Sequence, residues 1–223
     1  MAYFDSNTID FLWQLRVNNN KPWFTENKPR FETYVNKPMK QLAQDVFSKL
    51  DEDNKDKNLT YKVARIYKDA RRVKGGDPYR DNLWFFIEKT GEDFTTTPGF
   101  WFEIGCEGWS YGLGYYQAKA LTMAKFRARL DNKPEDFKKL LKSTNIAKSN
   151  FTLGGEEYKR KKDSPLKLEE WYNRKNFSLS YESSSHSEIY AQDLAEVLVQ
   201  GFSLLMPIYS YFATLDNDPD PRY

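Results

Sequence analysis

The sequence predicts an α+β fold: a single domain, residues 1–223, in which an antiparallel or mixed sheet is packed by N-terminal and C-terminal helices. Two changes of pattern lead there. Apolar residues recur at a helical period toward both ends of the chain, and between Tyr61 and Gln117 the period shortens to two. A third observation is the aromatic content, 17% of 223 residues, which offers large buried areas per side chain and lets a core form although 30% of the residues are charged.

Taken in order, Ser6 to Val17 carries Ile9, Leu12, Trp13 and Leu15 near helical spacing, Asn18-Asn19-Asn20 stops that helix, and Pro22 opens a second. From Phe31 onward Tyr34, Val35, Met39, Leu42, Val46 and Leu50 keep a period near 3.6. Pro38 cannot donate the backbone bond a helix interior needs, so two helices or a kink are expected. The tract from Asp51 to Lys57 has nothing to bury and reads as a loop. Tyr61–Asp69, Leu83–Glu88, Gly99–Cys106 and Trp109–Gln117 read as strands, the last two joined at Glu107-Gly108. Helices follow at Ala118–Leu130 and Pro134–Leu141, a short helix at Pro165–Tyr172 and a short strand at Phe177–Tyr181. The last helix is expected to begin at SSSHSE, where Ser185 and Glu188 have capping-box spacing. No repeat or low-complexity linker marks a domain boundary.

Composition excludes several classes. Cys106 is the one cysteine and His186 the one histidine, so an intrachain disulfide and a cysteine-based zinc cluster are ruled out, which suits a reducing, cytoplasmic setting. With no H-E-x-x-H, Walker loop or G-x-G-x-x-G, neither metal nor cofactor is expected. The N-terminus MAYFDSNTIDFLWQL has no basic lead and reads as an amphipathic helix rather than a signal peptide. The apolar stretch from Leu194 to Leu215 contains Glu196, Gln200 and Pro207 and reads as a core helix, so no membrane partner is expected. A net charge of +2 argues against a surface built as a whole for nucleic acid. The run Lys159–Lys162 reads as a solvated loop, and His186 with its serine neighbours as a capping segment rather than a nucleophile. Trp101, Trp109, Tyr111, Tyr115 and Tyr116 read as cross-strand core pairs rather than stacking platforms. Gly112 and Gly114 share a strand face and suggest close approach by a helix, the commoner cause, or by a ligand.

The stretch RIYKDARRVKGGDPYR, residues 65–80, holds six of the cationic side chains in sixteen positions. If Lys62–Asp69 is extended, Ala64 and Ile66 point one way and Val63, Arg65, Tyr67 and Asp69 the other. Two residues further, Arg71 joins Arg65 and Asp69. Gly75-Gly76 permits positive φ, and the Asp77-Pro78 turn delivers Tyr79 and Arg80 back toward the same neighbourhood. Guanidiniums flanking a carboxylate either satisfy it internally or, oriented by it, offer their remaining donors to a phosphate or carboxylate.

Four segments, LRVNNNKPWFTENKPRFETYVNKPM, RIYKDARRVKGGDPYR, PGFWFEIGCEGWSYGLGYY and FTLGGEEYKRKKDSPLKLEEWY, resemble a bacterial family of conserved hypothetical proteins, domain of unknown function 2461, over about residues 4–212. The family signature runs approximately R-x-x-R-D-x-R-F and then K-x-x-Y-K. Arg65, Asp69, Arg71, Tyr79 and Arg80 sit at matching positions, Arg80 in place of a usual lysine. Lys68 stands where the family has arginine, Arg72 where it has phenylalanine and Gly76 where it has lysine. The resemblance implies that this segment forms a unit and implies no reaction.

Three readings of the segment remain at this stage. Arg65, Lys68, Arg71, Tyr79 and Arg80 hold a small anionic ligand with Asp69 orienting them; or Asp69 is the acid or base of an enzyme, with Tyr79 as proton donor; or the charges form a structural salt-bridge network. Binding is preferred over catalysis, because a carboxylate among cations has a lowered pKa and makes a poor acid and a weak base.

Overall fold

The computed structural model describes residues 2–69 and 76–222. Helix α1, Ser6–Val17, starts where Asp5 accepts from the backbone N–H groups of Asn7 at 2.9 Å and Thr8 at 3.3 Å, while Thr8 Oγ1 accepts from the Asp5 N–H. This reciprocal cap satisfies donors that the first helical turn leaves open. Helix α2, Lys21–Phe31, is capped by Asn20 and carries Pro22 in its first turn. The break expected near Pro38 is a π turn, Glu32–Asn36, which hands the chain to α3, Lys37–Glu52. Asn36 is itself helical, so Pro38 sits inside a continuous helical run and leaves the Tyr34 carbonyl without its N–H; Thr8 Oγ1 of α1 donates to that carbonyl at 2.8 Å instead. Met39, Leu42, Ala43, Val46 and Leu50 form the buried stripe of α3.

Six strands follow the α+β expectation: β1 Leu59–Val63, β2 Asn82–Lys89, β3 Gly99–Gly105, β4 Trp109–Gly114, β5 Thr152–Gly154 and β6 Ser178–Ser183. They form one antiparallel sheet in the order β1-β2-β3-β4-β6-β5. The β3–β4 hairpin turns at the expected Glu107-Gly108, with the Gly105 N–H donating to Gly108 O at 2.9 Å. Helices α4, Ala120–Asn132, and α5, Pro134–Ser143, lie close to their predicted spans. The short helix expected at 165–172 is a 3₁₀ turn followed by α6, Glu169–Tyr172.

Several expectations need correcting, among them that Tyr116 packs in the core, since it is 73% exposed, and that β4 runs to Gln117, since it ends at Gly114. β1 ends at Val63 rather than Asp69, because the chain beyond it pairs with a different segment, described below. The final helix, α7, spans Leu194–Ala213 and does not start at Ser185. Residues His186–Tyr190 form a 3₁₀ turn in which the Ser185 side chain caps nothing, and Asp193 O instead accepts the Val197 N–H of α7. Finally, Gly114 admits backbone rather than a helix. A Cβ there would sit 2.4 Å from Phe177 O and 2.8 Å from Ser178 Cα.

The chain forms two compact units. The first comprises Met1–Ile87, Trp101–Tyr111 and Glu182–Val199; the second comprises Glu88–Phe100, Gly112–Tyr181 and Gln200–Tyr223. Each has an aromatic core. In the first, Phe102 lies between Phe4 at 6.1 Å and Phe85 at 5.6 Å between ring centroids. In the second, Phe212 is the hub, with Phe177 at 4.1 Å and Phe126 at 4.8 Å. Also in the second unit, Arg129 of α4 donates to the carbonyls of Tyr211 at 3.0 Å and Thr214 at 2.9 Å and pairs with Asp218. It thus satisfies acceptors that the end of α7 leaves open. Among the described residues α7 is the one helix long and apolar enough to cross a membrane, and its stripe Leu198, Phe202, Leu205, Ile208 and Phe212 is fully buried.

The close approach at Gly114 yields a prediction. Gly114→Ala forces a methyl group into the Phe177 carbonyl, and overpacking of this kind costs about 1–3 kcal/mol. Urea unfolding should show a lower midpoint with an unchanged slope, whereas Gly91→Ala, with nothing within 4 Å of its Cβ, should show only the cost of its φ of +82°.

Candidate functional site

In the first unit, Tyr67 and Tyr79 face each other across a short antiparallel ribbon. The Arg80 N–H donates to Ile66 O at 2.8 Å and the Lys68 N–H donates to Pro78 O at 2.9 Å. These bonds flank the tyrosine pair instead of joining it, so Tyr67 and Tyr79 form the closely spaced, non-hydrogen-bonded kind of pair. Their rings lie 5.2 Å apart. In such a pair each residue's own N–H and C=O point away from the partner strand. For Tyr79 they meet Asn19: the Asn19 amide donates to Tyr79 O and its carbonyl accepts the Tyr79 N–H, both at 3.0 Å. One side chain from the α1–α2 turn therefore stands in for a neighbouring strand.

Arg80 completes the ribbon from the other edge. Its Nη1 donates to Arg65 O at 2.9 Å and to Tyr67 O at 2.5 Å. The chain bends at Ile66 between these two carbonyls, and one guanidinium nitrogen reaches both. Phe24 of α2 seals one side, stacked on Tyr79 at 4.1 Å and 19° and meeting Tyr67 edge-on at 5.7 Å.

The residues singled out from sequence are thus distributed in different settings. Tyr79 is 3% exposed, and burial, with a smaller contribution from Tyr67, raises its phenol pKa. Arg80 is half-buried with its guanidinium on backbone carbonyls. Arg65 is exposed; Lys68 and Asp69 are half-buried. Arg71 lies outside the described residues. Asn19 and Phe24 carry no site reading in the sequence, whereas Tyr67 stands there on the outward face and its ring is held here by Phe24 and Tyr79. The signal for Asn19 lies in the triple asparagine that also stops α1.

A cleft of about 530 Å³ opens in the same unit, lined by Arg16, Asp81, Glu103, Cys106, Glu107 and Glu182 among others. Arg16 Nε donates to Asp81 at 2.5 Å and Nη1 to Glu107 at 2.9 Å. The bond to Asp81, then that to Glu107, raises the Arg16 pKa further above its already high value. Asn82 Nδ2 fixes Glu103 at 2.8 Å. Four carboxylates against one guanidinium make this lining unsuited to anions. Nor is the cleft nucleophilic. Cys106 is buried with its thiol 3.5 Å from Asp81 O, and burial pushes its pKa up to about 11. His186 Nε2 lies 3.0 Å from Gly105 O, which can only accept, so that nitrogen carries the proton. Among the described residues no group of three or more His, Cys, Asp or Glu side chains is placed to hold a metal.

The fold and the clamped ribbon define an α+β protein whose most distinctive feature is an arginine-held, aromatic-backed segment between β1 and β2. The chain belongs to the family of conserved hypothetical proteins DUF2461, which it matches over residues 7–211. Among curated proteins no match is found.

Two predictions follow from this geometry. Asn19→Ala leaves the N–H and C=O of a buried residue unpaired, at about 1–3 kcal/mol for each group fully deprived of water. Urea unfolding should show a loss in that range, with the midpoint moved to lower denaturant. For Cys106 the folded chain keeps its proton between the ordinary pKa of 9.0 and about 11, while the unfolded chain loses it. Its contribution is complete below pH 9 and disappears as pH rises toward 11. Wild type should lose stability across that window more steeply than Cys106→Ala in paired urea titrations.

Proposed function

We propose that this protein is a binding module for a small phosphate- or carboxylate-bearing ligand, engaged on the outward side of the 65–69 segment by Arg65, with Lys68 beside it and Asp69 orienting the cations. The observation that carries this reading is the division of labour between two arginines. Arg80 is taken up by the carbonyls of Arg65 and Tyr67, whereas the Arg65 side chain stands exposed on the backbone that Arg80 holds. A guanidinium on a fixed backbone loses less freedom when it grips an oxyanion bidentately. In this reading Tyr79 and Arg80 shape the site from beneath.

Burial of Tyr79 and its raised pKa support binding over the alternative of an enzyme with Asp69 as acid or base, since a buried phenol is a poor proton donor to an outside substrate. The acidic lining of the cleft supports placing an anion on the ribbon and not there. A single buried, free thiol suits the reducing cytoplasm of a bacterium as the place of action.

The test is thermal unfolding at matched ionic strength with phosphate, sugar phosphates and dicarboxylates, on wild type, Arg65→Ala and Arg80→Ala. A ligand at a hundred times its dissociation constant stabilises by about 2.7 kcal/mol. Arg65→Ala should abolish the selective shift while leaving the unliganded melting temperature unchanged; Arg80→Ala should lower that temperature. Absence of any selective shift in wild type, or its survival in Arg65→Ala, sinks the proposal.

A further inference from the structure

Tyr67 is the one member of the ribbon whose ring is not covered. It is 52% exposed, while its cross-strand partner is 3% exposed. An exposed tyrosine ordinarily turns freely about its side-chain bonds, but this one is held on several sides. Its ring meets Phe24 edge-on at 5.7 Å and lies 5.2 Å from Tyr79, and its own carbonyl accepts from Arg80 at 2.5 Å. The result is a fixed aromatic surface open to solvent.

Exposed cations lie on both elements that hold it. Arg65, two residues earlier on the segment, is exposed. On α2, Lys21 and Lys28 stand three residues before and four after Phe24. At that spacing they share the side of the helix that Phe24 turns toward Tyr67, and both are exposed. The acidic Asp69 is half-buried and has an interaction of its own. A pre-held ring with exposed cations on the elements that hold it matches a ligand in which a planar ring and an anionic group are joined a few bonds apart.

We infer that the ligand is a nucleotide unit, its base stacked on Tyr67 and its phosphate on Arg65, with Lys21 and Lys28 adding attraction from α2. This rests on the anion-binding reading above and narrows it. Stacking of a base on an aromatic side chain is tolerant of base identity, because every base offers a π face, so the site selects nucleotide over sugar phosphate rather than one base over another. A free nucleotide and the end of a single strand share this chemistry.

The experiment is calorimetric titration of the full chain with AMP, ribose 5-phosphate, adenosine and an eight-residue oligoadenylate, using wild type, Tyr67→Ala, Tyr67→Phe and Arg65→Ala. AMP should bind wild type about tenfold or more tightly than ribose 5-phosphate. Tyr67→Ala should erase that advantage, Tyr67→Phe should keep it because the ring and not the hydroxyl carries it, and Arg65→Ala should weaken both phosphates. Oligoadenylate binding that exceeds AMP and also depends on Tyr67 supports the inference, with a single strand as the source. Equal affinity for AMP and ribose 5-phosphate, both lost in Arg65→Ala, overturns the inference and leaves the anion-binding reading standing. An AMP advantage that survives Tyr67→Ala also overturns it. No binding of any phosphate overturns both.

Discussion

The geometry of the candidate site depends on the stacking of Phe24 against Tyr79. A two-residue antiparallel ribbon has little stability of its own in water. It persists here because the ring at its centre is buried against α2, and the burial obliges every backbone group around that ring to find a partner. Asn19 supplies two of those partners and Arg80 two more, at Arg65 and Tyr67. The positions of Arg65 and Tyr67 are therefore set by apolar packing from below. An aromatic contact in the core thus fixes where a cation and a phenol ring stand on the surface.

The same use of guanidinium recurs in the second unit. Arg129 donates to the carbonyls of Tyr211 and Thr214 at the end of α7, and Arg174 donates to Gly155 O at 2.7 Å and Glu170 O at 3.0 Å. Its planar fork can meet several acceptors at once, which a lysine ammonium cannot match in geometry. Carbonyl capping protects places where a helix ends or an edge is left unpaired, and an edge held by an arginine is also shielded from pairing with another chain. It follows that the cationic richness of residues 65–80 is a poor measure of anion affinity. Part of that charge is structural, as the Arg80 guanidinium on the Arg65 and Tyr67 carbonyls shows.

Much of the architecture was legible because it rests on local rules. Pro22 marks a helix start because its missing N–H costs nothing in a first turn, and Glu107-Gly108 marks a hairpin. The parts that escaped are those settled by partners distant in sequence. Nothing local distinguishes Ser185 as an unused cap from Asp5 as a used one; the first lies in a 3₁₀ turn whose His186 ring is drawn to Gly105 O, eighty-one positions away. The site was half visible for the same reason. Period-two alternation identified Arg65 and Tyr67 as outward, and burial agrees. That Tyr79 would be inward and Arg80 a clamp depended on Asn19 and Phe24, about sixty residues earlier, which no reading of 65–80 alone could supply.

Arg80 and Asp81 are adjacent in sequence, and at that step the chain changes its electrostatic character. Asp81 is bound by Arg16, so its charge is compensated from α1 and the cation row on the ribbon is not neutralised by its own neighbour. Glu103 and Glu182 line the cleft within the same unit. Surface charges of this kind act over distances of about 10 Å at 0.1 M salt, so they orient an approaching dipolar ligand more than they hold it. On the proposed reading, a bound ligand of mixed charge would set its anionic end against Arg65 and away from the cleft, while an uncharged ring would gain from Tyr67 whatever the salt. Salt should then slow encounter strongly and weaken the stacked contact little, which is how an aromatic platform beside a few cations differs from a purely basic patch.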